Sequence, residues 1–118
     1  MKIILSSRHL ANAQKLEDYA EEKVRKLAKF SSNIESINVR LIAQKSHRGQ
    51  EQDYYCEITI HIPGHILEIV DVERAMDKAI DKAVDRMKRS LVKNKEKHLS
   101  RDHRRGIINK VLRRLSLQ

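Results

Sequence analysis

Residues 56–72 decide the fold, and their sequence is CEITIHIPGHILEIVDV. In residues 56–62 apolar side chains alternate with more polar ones, which is the period of a strand with one buried face. Pro63 and Gly64 form a strong turn signal, because proline fixes φ at the first central position and glycine accepts a positive φ at the second. Residues 66–72 are again apolar and rich in β-formers. The stretch therefore predicts two antiparallel strands joined by a tight turn.

The other predicted strands and one helix precede this hairpin. Residues 2–6 form a short β-rich run that we interpret as the first strand. Residues 13–30 carry apolar side chains at helical spacing behind the N-cap candidate Asn12. Residues 37–44 alternate like a half-buried strand, and the polar segment 45–53 that follows predicts a hairpin loop.

After the hairpin the pattern changes, because from Glu73 onward the apolar period is 3.6 rather than two. A long second helix is predicted from there to about Lys97, followed by a basic, partly apolar tail at residues 98–118 that is either flexible or a short amphipathic helix. The order β-α-β-β-β-α predicts one α+β domain, residues 1–97, with a four-stranded sheet and both helices packed on one face. The apolar stripe of the second helix consists of Met76, Ala79, Ile80, Ala83, Val84, Met87 and Leu91.

Positive charge is concentrated in the last third of the chain. The formal net charge is +9. Residues 1–85 contain 13 Lys or Arg and 14 Asp or Glu, whereas residues 86–118 contain 12 and 2. Such a basic end favours a polyanionic partner, whose binding would release condensed counterions.

The second helix carries two charge stripes of opposite sign. Acidic residues recur every four positions from Glu73 to Asp85, and basic residues recur every four positions from Arg74 to Arg86. Each cation precedes an acid by three positions, which predicts ion pairs within the helix. After Asp85 the acidic stripe ends while the basic one continues, so that nucleic acid is the favoured partner there. The continuing cations are Arg86, Lys88, Arg89, Lys93, Lys95 and Lys97.

Several functional classes lack support in the sequence. The three glycines are isolated, His61 and His65 have no third metal ligand nearby, and no nucleophile lies in a recognisable catalytic setting, so we expect no enzyme, cofactor, metal or small-molecule substrate. Cys56 is the single cysteine and is interpreted as a small buried apolar side chain. With no signal-peptide core and no apolar run of membrane-spanning length, a cytoplasmic protein is expected. The absence of a basic-aromatic strand motif favours backbone and shape recognition of structured RNA.

Three stretches resemble one known family. They are the opening Ile3 to His9, the turn Ile60-His61-Ile62-Pro63-Gly64, and above all residues 76–95, MDKAIDKAVDRMKRSLVKNK. Across residues 1–97 the chain is similar to the short form of the ribosome hibernation promoting factors, also called ribosome-associated translation inhibitors or sigma-54 modulation proteins.

The resemblance implies a fold related to double-stranded RNA-binding domains. We also expect a protein that is monomeric when free. The resemblance also implies binding to ribosomal RNA in the decoding channel of the small ribosomal subunit, where the protein inhibits translation and stabilises idle ribosomes. The RNA-binding residues that it implies are Lys82, Arg86, Arg89, Lys93 and Lys95, together with Lys78, and further contacts are implied for Arg8, Lys23 and Lys26.

Two departures from the family pattern keep other interpretations open. Ala75-Met76-Asp77 stands where members commonly have Asp-Met-Tyr, and the tail 98–118 matches neither the acidic extension nor the dimerisation domain of other members. One alternative is a regulatory interaction module whose basic amphipathic tail docks an acidic protein or a membrane surface. Another is a general binder of double-stranded RNA.

Overall fold

The computed structural model describes residues 1–45 and 51–95. Its elements follow the predicted order β-α-β-β-β-α, which confirms the α+β class. The strands are β1 (Lys2–Arg8), β2 (Ser36–Lys45), β3 (Gln52–Ile62) and β4 (His65–Glu73). Helix α1 (Ala13–Arg25) continues into a 3-10 helix (Lys26–Phe30), and helix α2 begins at residue 76 and extends through residue 95.

The four strands form one mixed sheet in the order β1-β2-β3-β4. Strands β2, β3 and β4 form an antiparallel meander, in which Val39 lies opposite Ile58 and Ile58 opposite Ile69. Strand β1 pairs with β2 in parallel, with Leu5 beside Val39. A parallel pair needs a long crossover, and α1 supplies it. Both helices consequently begin at the same end of the sheet.

The core lies between the two helices and one face of the sheet. Alternate residues of β2 and β3 are buried as predicted, while their neighbours Tyr55, Glu57, Thr59 and His61 are half-exposed on the opposite face, called here the open face. The helices complete the core with Ala20 and Val24 of α1 and with Met76, Ala79, Ile80, Ala83, Met87 and Leu91 of α2. This confirms the apolar stripe and both sheet faces.

Cys56 is fully buried in this core. Burial, with the neighbouring carboxylate of Asp71 adding to it, raises the pKa of the thiol to about 12. The side chain is therefore a neutral apolar group near pH 7, as the sequence indicated.

The strands extend further than the sequence pattern predicted. Strand β1 continues to Arg8 because its parallel register with β2 runs as far as Ile42. The hairpin loop is shorter than residues 45–53, since Lys45 pairs with Gln52. Of that loop, residues 46–50 lie outside the described residues.

The first predicted helix, residues 13–30, was wrong in its last five residues, because the α-helix ends at Arg25 and a 3-10 helix follows. The tighter winding buries Leu27 and leaves Phe30 packed against the core. Asn12 does occupy the N-cap position, but its backbone is left-handed (φ 56°) and its side chain makes no capping hydrogen bond.

The predicted start of the second helix at Glu73 was also wrong. Glu73 is the last residue of β4, where it pairs with Tyr54 of β3, and the helix begins three residues later. Glu73 fits the four-residue spacing of the acids in α2, but its backbone pairs with β3 and is part of the sheet.

The core packing yields a stability prediction. Replacing Ile58→Ala removes a fully buried side chain at the centre of the sheet. We expect the free energy of unfolding in urea to fall by about 2–5 kcal/mol because the cavity cannot close completely. The control Thr59→Ala, on the open face of the same strand, is expected to cost less than about 1 kcal/mol. Equal losses in the two variants would contradict the assignment of the sheet faces.

Candidate nucleic-acid interface

The predicted RNA-binding cations of α2 all point away from the core. Lys78, Lys82, Arg86, Arg89, Lys93 and Lys95 are exposed, while the residues of the apolar stripe between them are buried, apart from the half-buried Val84. Lys82, Arg86, Arg89 and Lys93 recur at intervals of four, three and four residues, and therefore lie along one side of the helix. These four residues are called the cation row below.

Arg86 differs from the other cations because it holds a buried carboxylate. Its Nη1 donates to Oδ1 of Asp71 at 2.6 Å and to the main-chain carbonyl of Val70 at 3.3 Å. Asp71 is only 4% exposed, and its second oxygen, Oδ2, is buried without a hydrogen-bond partner in the described structure. A buried carboxylate without a cation is costly. Arg86 is consequently part of the fold as well as part of the basic surface.

Sequence reasoning missed this pair, although a signal was present. Leu67, Ile69 and Asp71 occupy alternate positions of β4, and the first two pack against the core. An aspartate at the next position of that series calls for a partner on the covering helix. Which cation would reach it depends on how α2 lies across β4, and the sequence does not contain that placement directly.

The ion pairs of α2 are not the predicted ones. None of the three pairs with a spacing of three residues, from Arg74 to Asp77 onward, is formed within the described part of the chain. The actual contacts mostly cross between elements, because β4 offers acids to one side of the helix. Lys82 pairs with Glu73 at 3.1 Å and Arg89 with Asp85 at 2.6 Å, while Arg74, which precedes α2, pairs with Glu51 and Asp53.

A second cluster joins α1 to α2. The hydroxyl of Tyr19 donates to Oδ1 of Asp81 at 2.5 Å, and Nζ of Lys23 lies 3.9 Å from the same oxygen. The hydrogen bond to Asp81, followed by partial burial and nearby negative charge, raises the pKa of Tyr19 to about 12. Further along, Nζ of Lys88 lies 5.0 Å from the centre of the Phe30 ring. The contact with Asp81 places Lys23 beside α2.

Arg8 and Lys26 lie elsewhere. Arg8 stands next to Ile42 at the end of β1, where it and Arg40 line a small cleft on the sheet. This cleft is on the open face, opposite the helices, so Arg8 does not join the α2 cations. Lys26 is exposed in the 3-10 helix, on the outer side of α1.

Three of the predicted contacts on α2 have no carboxylate partner among the described residues. Lys78, Lys93 and Lys95 form no ion pair with any described residue. Residues 1–45 and 51–95 also contain no cluster of three or more metal-ligating side chains. No helix in the described ranges is long and apolar enough to cross a membrane.

Comparison with known proteins identifies the family. The sequence model of the family described as sigma 54 modulation protein / S30EA ribosomal protein matches residues 3–99. The chain belongs to this family. The match covers β1 through the whole described length of α2, so the family assignment includes the basic surface. No curated protein matches the chain significantly.

Solved structures agree on the fold of the family. A ribosomal subunit interface protein from Coxiella burnetii has a TM-score of 0.65 at 16% identity, covering 81% of this chain and 99% of that one. The N-terminal domain of Protein Y from Thermus thermophilus has a TM-score of 0.58 at 22% identity, covering 78% of this chain and 93% of that one. At these identities the similarity concerns the fold.

The Arg86 contact can be tested against a matched arginine. Arg86→Ala leaves the buried carboxylate of Asp71 without its partner, which we expect to lower the free energy of unfolding by about 1–3 kcal/mol. Arg89→Ala removes an exposed pair on the same helix and should cost less than about 0.5 kcal/mol. Urea denaturation measures both. If the two variants lost equal stability, Arg86 would have no structural role.

The Tyr19 hydrogen bond predicts a pH dependence. Because the folded pKa of about 12 lies above the usual value near 10, the contact stabilises the fold below pH 10. That contribution is lost as the pH rises through the folded pKa. In a variant carrying Tyr54→Phe and Tyr55→Phe, tyrosinate absorbance should report the high pKa of Tyr19, and Asp81→Asn should lower it.

Asp85→Asn is the control for this titration, since it neutralises an acid on the same helix without touching Tyr19. Circular dichroism at each pH verifies that the chain stays folded. An unchanged Tyr19 titration in Asp81→Asn would rule out the contact.

Proposed function

We propose that this protein binds ribosomal RNA of the small ribosomal subunit and occupies the decoding channel, and that it thereby inhibits translation and stabilises idle ribosomes. The observation that carries the proposal is the row of exposed cations on α2. It occurs in a member of the family described as sigma 54 modulation protein / S30EA ribosomal protein. Residues 3–99 match that family, and the α2 cations lie within the matched part.

The cations of α2 differ in how readily they can meet phosphates. Lys78, Lys93 and Lys95 form no ion pair with a described carboxylate, so no ion pair has to break before they bind a phosphate. We therefore expect them to be the main RNA contacts. Arg89 forms an exposed ion pair with Asp85, four residues earlier in the helix. Such a pair contributes only about 0.3–0.5 kcal/mol. A phosphate can replace that carboxylate at little cost. Arg89 therefore joins the contact set.

Arg86 would act without leaving its partner. Only Nη1 is engaged with Asp71 and Val70, and a guanidinium has five N–H donors. The remaining donors can bind phosphate while Asp71 fixes the orientation of the side chain. Such a fixed arginine loses less rotamer freedom on binding than a free lysine.

The inhibition requires no chemical step. A domain that occupies the path of messenger and transfer RNA prevents translation by excluding them. Binding through backbone phosphates of a folded RNA fits a surface with many cations and few exposed aromatic side chains.

Charge reversal tests the surface. In the variant Lys78→Glu/Arg89→Glu/Lys93→Glu, Arg86 remains in place so that the fold is preserved. We expect loss of co-sedimentation with small subunits in sucrose gradients at physiological salt. The dependence of affinity on salt should also become smaller, because each lost phosphate contact reduces the counterions released on binding by about 0.9. The matched control is Lys2→Glu/Lys15→Glu/Lys45→Glu, which changes the net charge equally at exposed residues outside α2.

The outcomes separate the alternatives. Equal retention of both variants by ribosomes would exclude the α2 surface. Equal affinity for ribosomes and for arbitrary RNA duplexes would indicate a general double-stranded RNA binder. A chain truncated after residue 97 should keep its ribosome affinity, whereas loss of binding would favour the interaction module; the tail 98–118 lies outside the described residues.

Occupancy of the decoding channel needs its own measurement. The protein should displace transfer RNA that is bound to small subunits, and an excess of transfer RNA should in turn prevent the protein from binding. Simultaneous saturation by both would place the binding site elsewhere on the subunit.

A further inference from the structure

Within the described part of the chain, strand β4 is an edge strand with an apolar surface beside its unpaired edge. The strand pairs with β3 on one side, and no described strand pairs with its other side. Ile66, Val70 and Val72 point to the open face, where they are 64%, 47% and 42% exposed, and the exposed Glu68 lies between Ile66 and Val70 on the same face. These three residues are called the apolar row. A long edge strand with exposed β-branched side chains is a template for pairing with another chain.

The cation row borders the same edge from the opposite side of the sheet. Lys82 reaches Glu73, and Arg86 reaches Asp71 and the carbonyl of Val70, so that this side of α2 lies over β4. Lys93 follows on the same side by its helical spacing. The free edge of β4 therefore lies between an apolar row on one sheet face and a cation row on the other.

A strand added to this edge would meet the two rows with alternate side chains, because successive side chains of a strand point to opposite faces. We propose that the free edge of β4 binds an extended peptide segment of another protein, in which apolar residues alternate with acidic residues. The apolar side chains would cover Ile66, Val70 and Val72, and the acidic ones would pair with the cation row. Main-chain hydrogen bonds to β4 would supply the remaining affinity. The proposal does not rest on the proposed ribosomal function.

Two other occupants fit the charges less well. A second copy joined antiparallel through β4 would have its α2 on the same side of the joint sheet, so the two cation rows would face each other. The chain's own residues 98–118 contain six Lys or Arg and one Asp, and they would also meet the cation row with like charge. Charge complementarity selects an acidic partner.

The contact between Arg86 and Val70 shows that a donor outside the sheet already reaches the main chain of β4. The carbonyl of Val70 accepts the hydrogen bond from Nη1 at 3.3 Å, longer than the 2.6 Å contact to Asp71. An amide N–H of an added strand can take over the weaker bond while the stronger ion pair persists. Binding of the peptide therefore leaves the fold of α2 on the sheet unchanged.

The test uses two synthetic peptides with a composition of four valines and three glutamates. One alternates the two residues, and the other has the same residues in two blocks. We expect the alternating peptide to bind the full chain at physiological salt roughly tenfold more tightly than the block peptide, as measured by fluorescence anisotropy. Amide hydrogen exchange should slow in residues 66–72.

Variants locate the site. Val70→Lys in the apolar row and Lys93→Glu in the cation row should each weaken binding of the alternating peptide roughly tenfold. The controls Thr59→Lys, on the open face of β3, and Lys15→Glu, on α1, should have no effect. Val70→Lys should also keep its co-sedimentation with ribosomes, so that failure of this site and failure of the proposed function are distinguishable.

Several results would overturn the proposal. They are absence of binding, equal affinity for the two peptides, or binding that survives Val70→Lys. A short RNA duplex that slows exchange in residues 66–72 when neither peptide does so would assign the β4 edge to RNA and would equally reject a peptide partner.

Discussion

Helix α2 has to bury one apolar stripe, and the sheet offers it the core face of β3 and β4. Each large side chain that becomes buried there stabilises the fold by about 1.5–3 kcal/mol, so this contact dominates the orientation of the helix. Once the stripe is buried, helix geometry makes the other side chains of α2 face outward. The basic surface is thus a consequence of core packing. The same packing places Arg86 above Asp71, whose buried carboxylate then fixes the position of α2 along β4.

The regular parts of the fold could be predicted because they depend on local periodicity. Alternation in β2 and β3 and the stripe of α2 each identified one buried face, and both faces agree with the structure. The limits of the elements depend on contacts across the fold. Glu73 stays in β4 because Tyr54 pairs with it, and residues 26–30 tighten where the end of α1 meets the core. Neither contact leaves a periodic signal.

The candidate site follows the same division. Sequence spacing was enough to predict which cations of α2 are exposed, since that depends on the helix alone. Their partners were predicted wrongly, because acids of β4 bind two cations of α2, and the hydroxyl of Tyr19 in α1 binds Asp81, an acid of α2. Arg8 illustrates the remaining difficulty. It lies close to α1 in the sequence, but its side chain is on the open face because alternate residues of β1 point to opposite faces of the sheet. The family resemblance named a surface, and the structure divides its cations into paired and unpaired ones.

The parallel pairing of β1 has a consequence for the order in which the sheet can be completed. Strands β2, β3 and β4 each meet a neighbour that is adjacent in sequence, so hairpin formation can join them one after another. Strand β1 is synthesised first, yet Lys2 has its partner at Ser36, and the whole of α1 must be made before the two can meet. Until then the apolar side chains of β1 have no sheet to join. Strand β1 therefore has the longest stretch of chain to wait for before its sheet partner is made, and it occupies the edge of the sheet opposite β4.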